Sequence, residues 1–501
     1  MQRPVPAANG QPFPPRTGRR ILAGRVLLSA REWRRQLNPL TLGIAGYIFV
    51  QFAIGLYVSR RIRTEDDYLV AGRSLGPGLT TFTVFATWFG AETCVSAAGL
   101  AYANGLIGAS AEPFGYGLCI IVLGLFLAVP LWRMRLSTPA DFFRIRYSPA
   151  VERLTVLLMV PTSVFWAAAQ VRAFGHVLSA ASGLEVEVTI AVAAIVVIVY
   201  TAVGGLLAVA WTDLVQGIAL IVGLVVLAAG VVLAVGPETF TAIPPERLRL
   251  FGGGERPLLE TLEVWTIPVL GSLTAAELIT RVIAARSPQV AKGATLAGGG
   301  GYLLVGLIPV AMGLLAGVIM PGVAEPEQVL PLLAQTYLPT ALYVVFAGAL
   351  VSAILSTVDS ALLVAGSLAS HNLMVPLLPG LSERGKVRLA RIAVAVFGVV
   401  AWYLATRANA VYDLVETASA FGSAGIVTVV GIGLFTRFGG TAAALAALLA
   451  GVTAWVLGAY VLEFPYPYLT SLACAATCYV VVGLVWPGRR EIRAPEPDDR
   501  R

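Results

Sequence analysis

Thirteen apolar runs, most about twenty residues long, succeed one another between residues 42 and 486 with only short polar breaks. A helix of that length crosses the hydrocarbon core of a bilayer and satisfies every backbone N–H and C=O within itself. The runs are continuous rather than alternating, which excludes a membrane β-barrel. A chain that is 57% hydrophobic and only 13% charged could not hide its apolar surface in any soluble architecture. The chain reads as an all-α polytopic membrane protein. Its spans fall near 42–60, 79–103, 113–132, 152–181, 187–207, 211–235, 264–284, 298–320, 340–374, 388–407, 411–436, 441–462 and 466–486.

An odd number of spans puts the two ends of the chain on opposite sides of the membrane. The loop charges alternate accordingly. Arginines such as Arg60, Arg61, Arg133, Arg135, Arg286, Arg384, Arg437 and Arg489 follow odd-numbered spans, and glutamates such as Glu185, Glu187, Glu325 and Glu327 follow even-numbered ones. Positive charge is retained in the cytoplasm, so the N-terminus is expected outside and the C-terminus in the cytoplasm of a multi-pass cell-membrane protein. The basic extension 1–41 opposes this, with eight arginines in residues 1–35, and is outweighed by six alternating loops. It shows no cleavable signal, so the first span is expected to direct insertion itself. A membrane domain over 42–486 and a short cytoplasmic tail over 487–501 complete the domain reading. The net charge of +7 is spread over loops and ends and gives no nucleic-acid face. Cys94, Cys119, Cys474 and Cys478 all fall in apolar stretches and read as small packing residues rather than a metal or disulfide set.

Polar side chains inside these spans mark candidate sites. Ala353, Ser356, Thr357 and Ser360 share one helix face, and Asp359 adds a carboxylate at membrane depth. An isolated Ser or Thr in such a helix usually bonds its own preceding turn. A cluster of this kind, set against carbonyls freed by a break in a second helix, can instead hold a small hard cation. The run Ala86-Thr87-Trp88-Phe89-Gly90-Ala91-Glu92-Thr93 has the small and polar composition of such a broken helix. Asp213, after the Gly204-Gly205 pair, reads equally as a first-turn helix carboxylate or as an ion ligand.

Three segments, Asp67-Tyr68-Leu69-Val70-Ala71-Gly72-Arg73-Ser74-Leu75, Gly204-Gly205 with Trp211-Thr212-Asp213, and Ser356-Thr357-Val358-Asp359-Ser360, together resemble the sodium/solute symporter family in order and spacing. The resemblance implies a five-plus-five inverted repeat, here spans 2–6 and 7–11, with one helix before and two after, and solute and ion near the midplane. It implies a sodium site from the carbonyls of Ala86, Phe89 and Ala353 and the hydroxyls of Ser356 and Thr357. A second sodium is implied for Asp213, Ser356, Asp359 and Ser360, as in some members. Ala86-Thr87-Trp88, Phe114-Gly115-Tyr116 and Phe165-Trp166-Ala167 resemble the high-affinity choline transporter branch. That likeness implies an aromatic cage of Trp88, Tyr116 and Trp166, while two further cage positions fall at Ala275 and Val415. Glu92, Glu277 and Glu416, with Glu112, lie where they can attract a cation or pair with Arg172 and Arg281.

The leading function is a sodium-coupled symporter importing a small cation or zwitterion such as a quaternary amine, betaine or proline. Its partners are then solute, Na+ and the lipid bilayer, with no catalytic residue, no cofactor and no metal but sodium. A sodium/monocarboxylate symporter is the alternative, and it would need a positive group in the cavity. A membrane enzyme finds no HExxH, GxSxG or paired-carboxylate motif on a membrane face. A transporter-derived sensor would need a signalling module after the last span, where only the tail follows. A channel would need rings of like residues in a symmetric pore.

Overall fold

Serine and proline set where several spans begin. Ser148 accepts a hydrogen bond from the Val151 amide at 3.5 Å, with Pro149 in the first helical position. Ser287 does the same for Val290 at 3.2 Å, ahead of Pro288, and Ser382 for Gly385 at 3.2 Å. The hydroxyl answers an amide that has no partner inside the helix, and proline at the first position gives up none that is needed. Spans 4, 8 and 10 therefore start at Pro149, Pro288 and Glu383 rather than at 152, 298 and 388. Hydropathy locates the membrane-embedded part of a helix, whereas the cap locates its end.

The computed structural model describes residues 39–251, 257–408 and 411–486. The basic extension and the tail lie outside these, except that 39–41 open the first helix, Pro39–Ser59. Among the described residues eleven helices are long and apolar enough to cross a membrane, and the count reaches thirteen when each of two bent pairs is taken as one span. Span 2 is Pro77–Trp88 followed by Glu92–Asn104, bent by 63°. Span 7 is Leu258–Gly271 followed by Ala276–Ile283, bent by 41°. The first break was legible in the sequence; the second, at Ser272-Leu273-Thr274-Ala275, was not. Each bent span opens one set of five, as the inverted repeat requires. Phe49, Ile195, Leu233, Leu304 and Leu484 point outward and are exposed, as a lipid-facing surface demands.

Span 6 (Leu206–Val235) and span 4 (Pro149–Ser182) both pack on span 9 (Thr340–Leu368), and span 8 (Pro288–Ile319) packs on both halves of span 2. Gly205, at φ 154°, makes the turn between spans 5 and 6, and a Cβ there would lie 2.6 Å from Ile62. At their arginine-bearing ends, spans 2 and 7 are tied through backbone, and side chains add span 3. Leu75 and Ala285 form a bridge, with the Leu75 amide donating to the Ala284 carbonyl at 3.2 Å and the Arg286 amide to the Leu75 carbonyl at 2.9 Å. Arg73 donates to the carbonyls of Leu136 (2.7 Å) and Ile283 (3.4 Å), and the Trp132 indole to that of Ala285 (2.6 Å). Beside this tie, His371 faces Glu65 at 2.9 Å and Asp141 at 3.6 Å, a polar cluster at a span end.

Candidate sodium and solute sites

Phe89 closes the first half of span 2 with ψ 73°, which turns its carbonyl out of the helical ladder. Span 9 crosses this break with its small polar face inward. The Ser356 hydroxyl donates to the Ala86 carbonyl at 2.8 Å and to that of Ala353 at 3.0 Å, and the Thr357 hydroxyl to Ala353 at 3.2 Å. Ala86, Ala353, Ser356 and Thr357 are thus brought together, with Phe89 at the adjoining break, and all five are buried. Two hydroxyls and three carbonyls, with no imidazole, thiolate or carboxylate, are donors of the hard-oxygen type that small hard cations take.

One turn along span 9, the second cluster forms around a guanidinium. Arg281 is fully buried; it donates to the Ser360 hydroxyl and, at 3.3 Å, to the Glu277 carbonyl. It lies within electrostatic reach of both Asp213 and Asp359. Thr83 donates to Asp213 Oδ2 at 2.5 Å, and Ser360 to the Ser356 carbonyl at 2.7 Å. Asp213 Oδ1 and Asp359 Oδ2 are buried with no hydrogen-bond partner. Asp213 is eight residues into the helix that starts at Leu206, so the first-turn reading is corrected: the helix begins directly after Gly205. Thr83 and Thr87, four apart on the first half of span 2, face this cluster and were missed; their spacing toward Ala86 was the available signal.

Trp88, Tyr116 and Trp166 meet as a trio. Ring centroids are 4.7 Å apart for Trp88–Trp166, 6.3 Å for Trp88–Tyr116 and 6.1 Å for Tyr116–Trp166. The rings touch one another, and Trp166 and Tyr116 each line a separate cavity. Trp166 lines a small cavity of about 30 Å³ with Ser272, Ala275, Glu277 and Ser419; Tyr116 lines one of about 310 Å³ with Tyr412, Glu416 and Trp455. The Tyr116 hydroxyl is 2.8 Å from that of Ser419, and the Trp88 indole N–H is buried without a partner.

The four glutamates take different positions. Glu92 receives the Trp166 indole at 3.3 Å and the Gln170 amide at 2.6 Å. Glu277 receives the Ser163 hydroxyl at 2.5 Å. Ser163, Trp166 and Gln170 share one face of span 4, so a single helix holds both carboxylates; Ser163 and Gln170 were not foreseen. Glu112 takes Thr93 at 3.1 Å and the Tyr302 hydroxyl. Glu416 stands apart from Trp88 and Trp166, exposed in the larger cavity. Of the two candidate balancing arginines, Arg281 joins the second cluster, and Arg172 donates to the Ala405 carbonyl at 3.1 Å.

A model of the sodium:solute symporter family matches residues 68–451. The chain is 26% identical over 408 residues to the high-affinity choline transporter 1 of Caenorhabditis elegans, covering 74% of this chain and 70% of that one. It is 25% identical over 456 residues to the high-affinity proline transporter PutP of Bacillus subtilis (strain 168), covering 86% and 95%. Among solved structures, a Na+-coupled sialic acid symporter in a substrate-bound outward-open state superposes with a TM-score of 0.79 at 18% identity, over 90% of this chain and 98% of that one, which establishes the shared fold. With two broken spans, a hydroxyl and carbonyl cluster at the first break, and a family match across most of its length, the chain belongs to the sodium:solute symporter family: a multi-pass membrane transporter and not an enzyme.

Proposed function

We propose that the chain imports a small organic cation or zwitterion, such as a quaternary amine, betaine or proline, together with sodium, with its N-terminus outside and its C-terminus in the cytoplasm. The observation that carries the solute class is the meeting of three aromatic rings, Trp88, Tyr116 and Trp166, beside a buried carboxyl, with Glu92 accepting from the Trp166 indole. Ring faces and a carboxylate both attract positive charge where water is excluded. The choline and proline transporters among the relatives support the same class.

Sodium is assigned to Ala86, Phe89, Ala353, Ser356 and Thr357. A second cation at Asp213, Ser356, Asp359 and Ser360 is supported by a charge count, since two carboxylates face one guanidinium. A monocarboxylate would need a free positive group, and the buried Arg281 is already engaged by Ser360 and faces Asp213 and Asp359. The experiment is a thermal-shift screen of the purified chain against choline, betaine, proline, acetate and pyruvate, with and without sodium. Stabilisation by amines in sodium is expected. Stabilisation by acetate or pyruvate alone would refute the reading.

A further inference from the structure

Positive charge collects at one end of this bundle, and where it borders apolar surface at the edge of a bilayer it faces the anionic head groups of the lipid. Several arginines at that end are answered by the protein itself: Arg144 pairs with Asp141 at 3.0 Å, and Arg73 donates to two carbonyls. Arg437, just past the end of span 11 (Val411–Phe435), is exposed and has no hydrogen bond or ion pair among the described residues. It lines a cavity of about 320 Å³ between the end of span 3, the short helix Asp141–Arg146 that follows it, and the end of span 11. A second guanidinium, that of Arg146, lines the same cavity, and no acidic side chain does. Asp141, the one acid of the short helix, stays outside it, held by Arg144.

The carbonyls left over at the C-terminal end of span 11 would repel an anion, and Arg146 covers them. Its Nε donates to the Gly433 carbonyl at 3.0 Å and its Nη2 to those of Thr436 at 3.3 Å and Phe438 at 3.1 Å, with the guanidinium 4.7 Å from the centre of the Tyr147 ring. Its Nη1 makes no hydrogen bond and is not buried. One guanidinium is therefore fixed with a free edge, and the other stands beside the same space without a countercharge. Two such groups match the oxygens of a phosphate. The remaining wall is largely apolar, with Met134, Ile145 and Leu434, and it continues to Phe435, which is 58% exposed on the last turn of a membrane-crossing helix. A free phosphate would leave that apolar wall uncovered, whereas a phosphate carrying an acyl chain covers it.

We infer that this cavity binds an anionic phospholipid, with its phosphate between Arg437 and Arg146 and its chain along Met134, Ile145 and Leu434. The inference is independent of the solute and of sodium. With the topology proposed above, the lipid belongs to the cytoplasmic leaflet, whose surface is negatively charged. Bound there, it adds a second link between the short helix and span 11, which Arg146 already joins.

The test uses the full-length chain in detergent, titrated with phosphatidylglycerol, phosphatidylcholine and glycerol 3-phosphate. The melting temperature is followed, and retained lipids are counted by native mass spectrometry, in wild type, Arg437→Ala, Ile145→Trp and Arg407→Ala. Wild type is expected to be stabilised by phosphatidylglycerol at concentrations at least about fivefold lower than by phosphatidylcholine, and not by glycerol 3-phosphate. Arg437→Ala should lose about fivefold in phosphatidylglycerol affinity and retain one such lipid fewer. Ile145→Trp, which fills the cavity, should lose the same lipid without a change of charge. Arg437 is exposed and unbonded, so its variant folds whatever becomes of Ile145→Trp. Arg407→Ala, at the other end of the bundle where the guanidinium lies over the Tyr403 ring, should bind as wild type. Equal responses to the two phospholipids, or wild-type phosphatidylglycerol affinity in Arg437→Ala, would overturn the inference. So would stabilisation by glycerol 3-phosphate as strong as by phosphatidylglycerol, which would make the cavity a site for a soluble phosphate ester.

Discussion

Loss of a single oxygen at the span 9 cluster has a calculable effect. Ser356→Ala removes the hydroxyl that lies 2.8 Å from the Ala86 carbonyl and 3.0 Å from that of Ala353, one of five oxygens assigned to sodium. An interaction between a polar group and a charge in a buried setting contributes about 1.5–3 kcal/mol, which corresponds to about 10- to 150-fold in affinity. The apparent sodium affinity, read as the sodium concentration giving half-maximal solute uptake in proteoliposomes, should weaken by that factor. Thr357→Ala should act similarly, and the double variant should lose sodium dependence over the accessible range. Stability should change little, since Ser356 sits in a continuous helix and alanine is the best helix former. Ser352→Ala is the control: its hydroxyl, four residues earlier on the same helix, bonds Gly348 and Tyr47 rather than the Ala86 break. If both Ser356→Ala and Thr357→Ala keep wild-type sodium dependence, or if Ser352→Ala weakens it equally, the assignment of sodium to this face is wrong.

Trp88→Ala and Trp166→Ala should each raise the apparent KM for a cationic solute by about thirtyfold, the equivalent of about 2 kcal/mol of lost ring attraction; the Phe replacements should do less, and no difference between Ala and Phe would remove the ring-face argument. Asp213→Asn keeps an acceptor for Thr83 and leaves Asp359 to balance the buried Arg281, so it should change stability little but impair sodium coupling, whereas Asp213→Glu should retain coupling. Wild-type coupling ratios in the Asn variant, measured as sodium and solute flux in the same vesicles, would eliminate a second cation there. Gly90→Ala should force the Glu92 carboxylate off the break, costing about 1–3 kcal/mol by overpacking and weakening choline binding; a variant that melts and binds as wild type would show that the carboxylate is not held where described.

Much of this arrangement was legible in the sequence because apolar runs in a bilayer admit one solution, the helix, and because Ser356, Thr357 and Asp359 have no ordinary reason to lie within one. The break in span 2 announced itself through Gly90 and Glu92 amid polar neighbours. The break in span 7 did not, since Gly271-Ser272-Leu273-Thr274 is no more polar than many packed helices. The division among the glutamates was likewise hidden. Glu92, Glu277 and Glu416 look alike as isolated acids in apolar surroundings, and only the span 4 face formed by Ser163, Trp166 and Gln170 separates the first two from the third. Asp213 was misplaced by two helical turns because Gly204-Gly205 marks the turn itself, so the helix starts at once and not near Trp211.

The backbone tie at Leu75 and Ala285 has a mechanical consequence. Its two peptide hydrogen bonds join the start of span 2 to the end of span 7, and the Arg73 and Trp132 side chains add the end of span 3, so relative movement of these ends requires breaking that set of bonds. The two helix breaks thereby share a common base, where the start of span 2 and the end of span 7 are held side by side like the arms of a yoke.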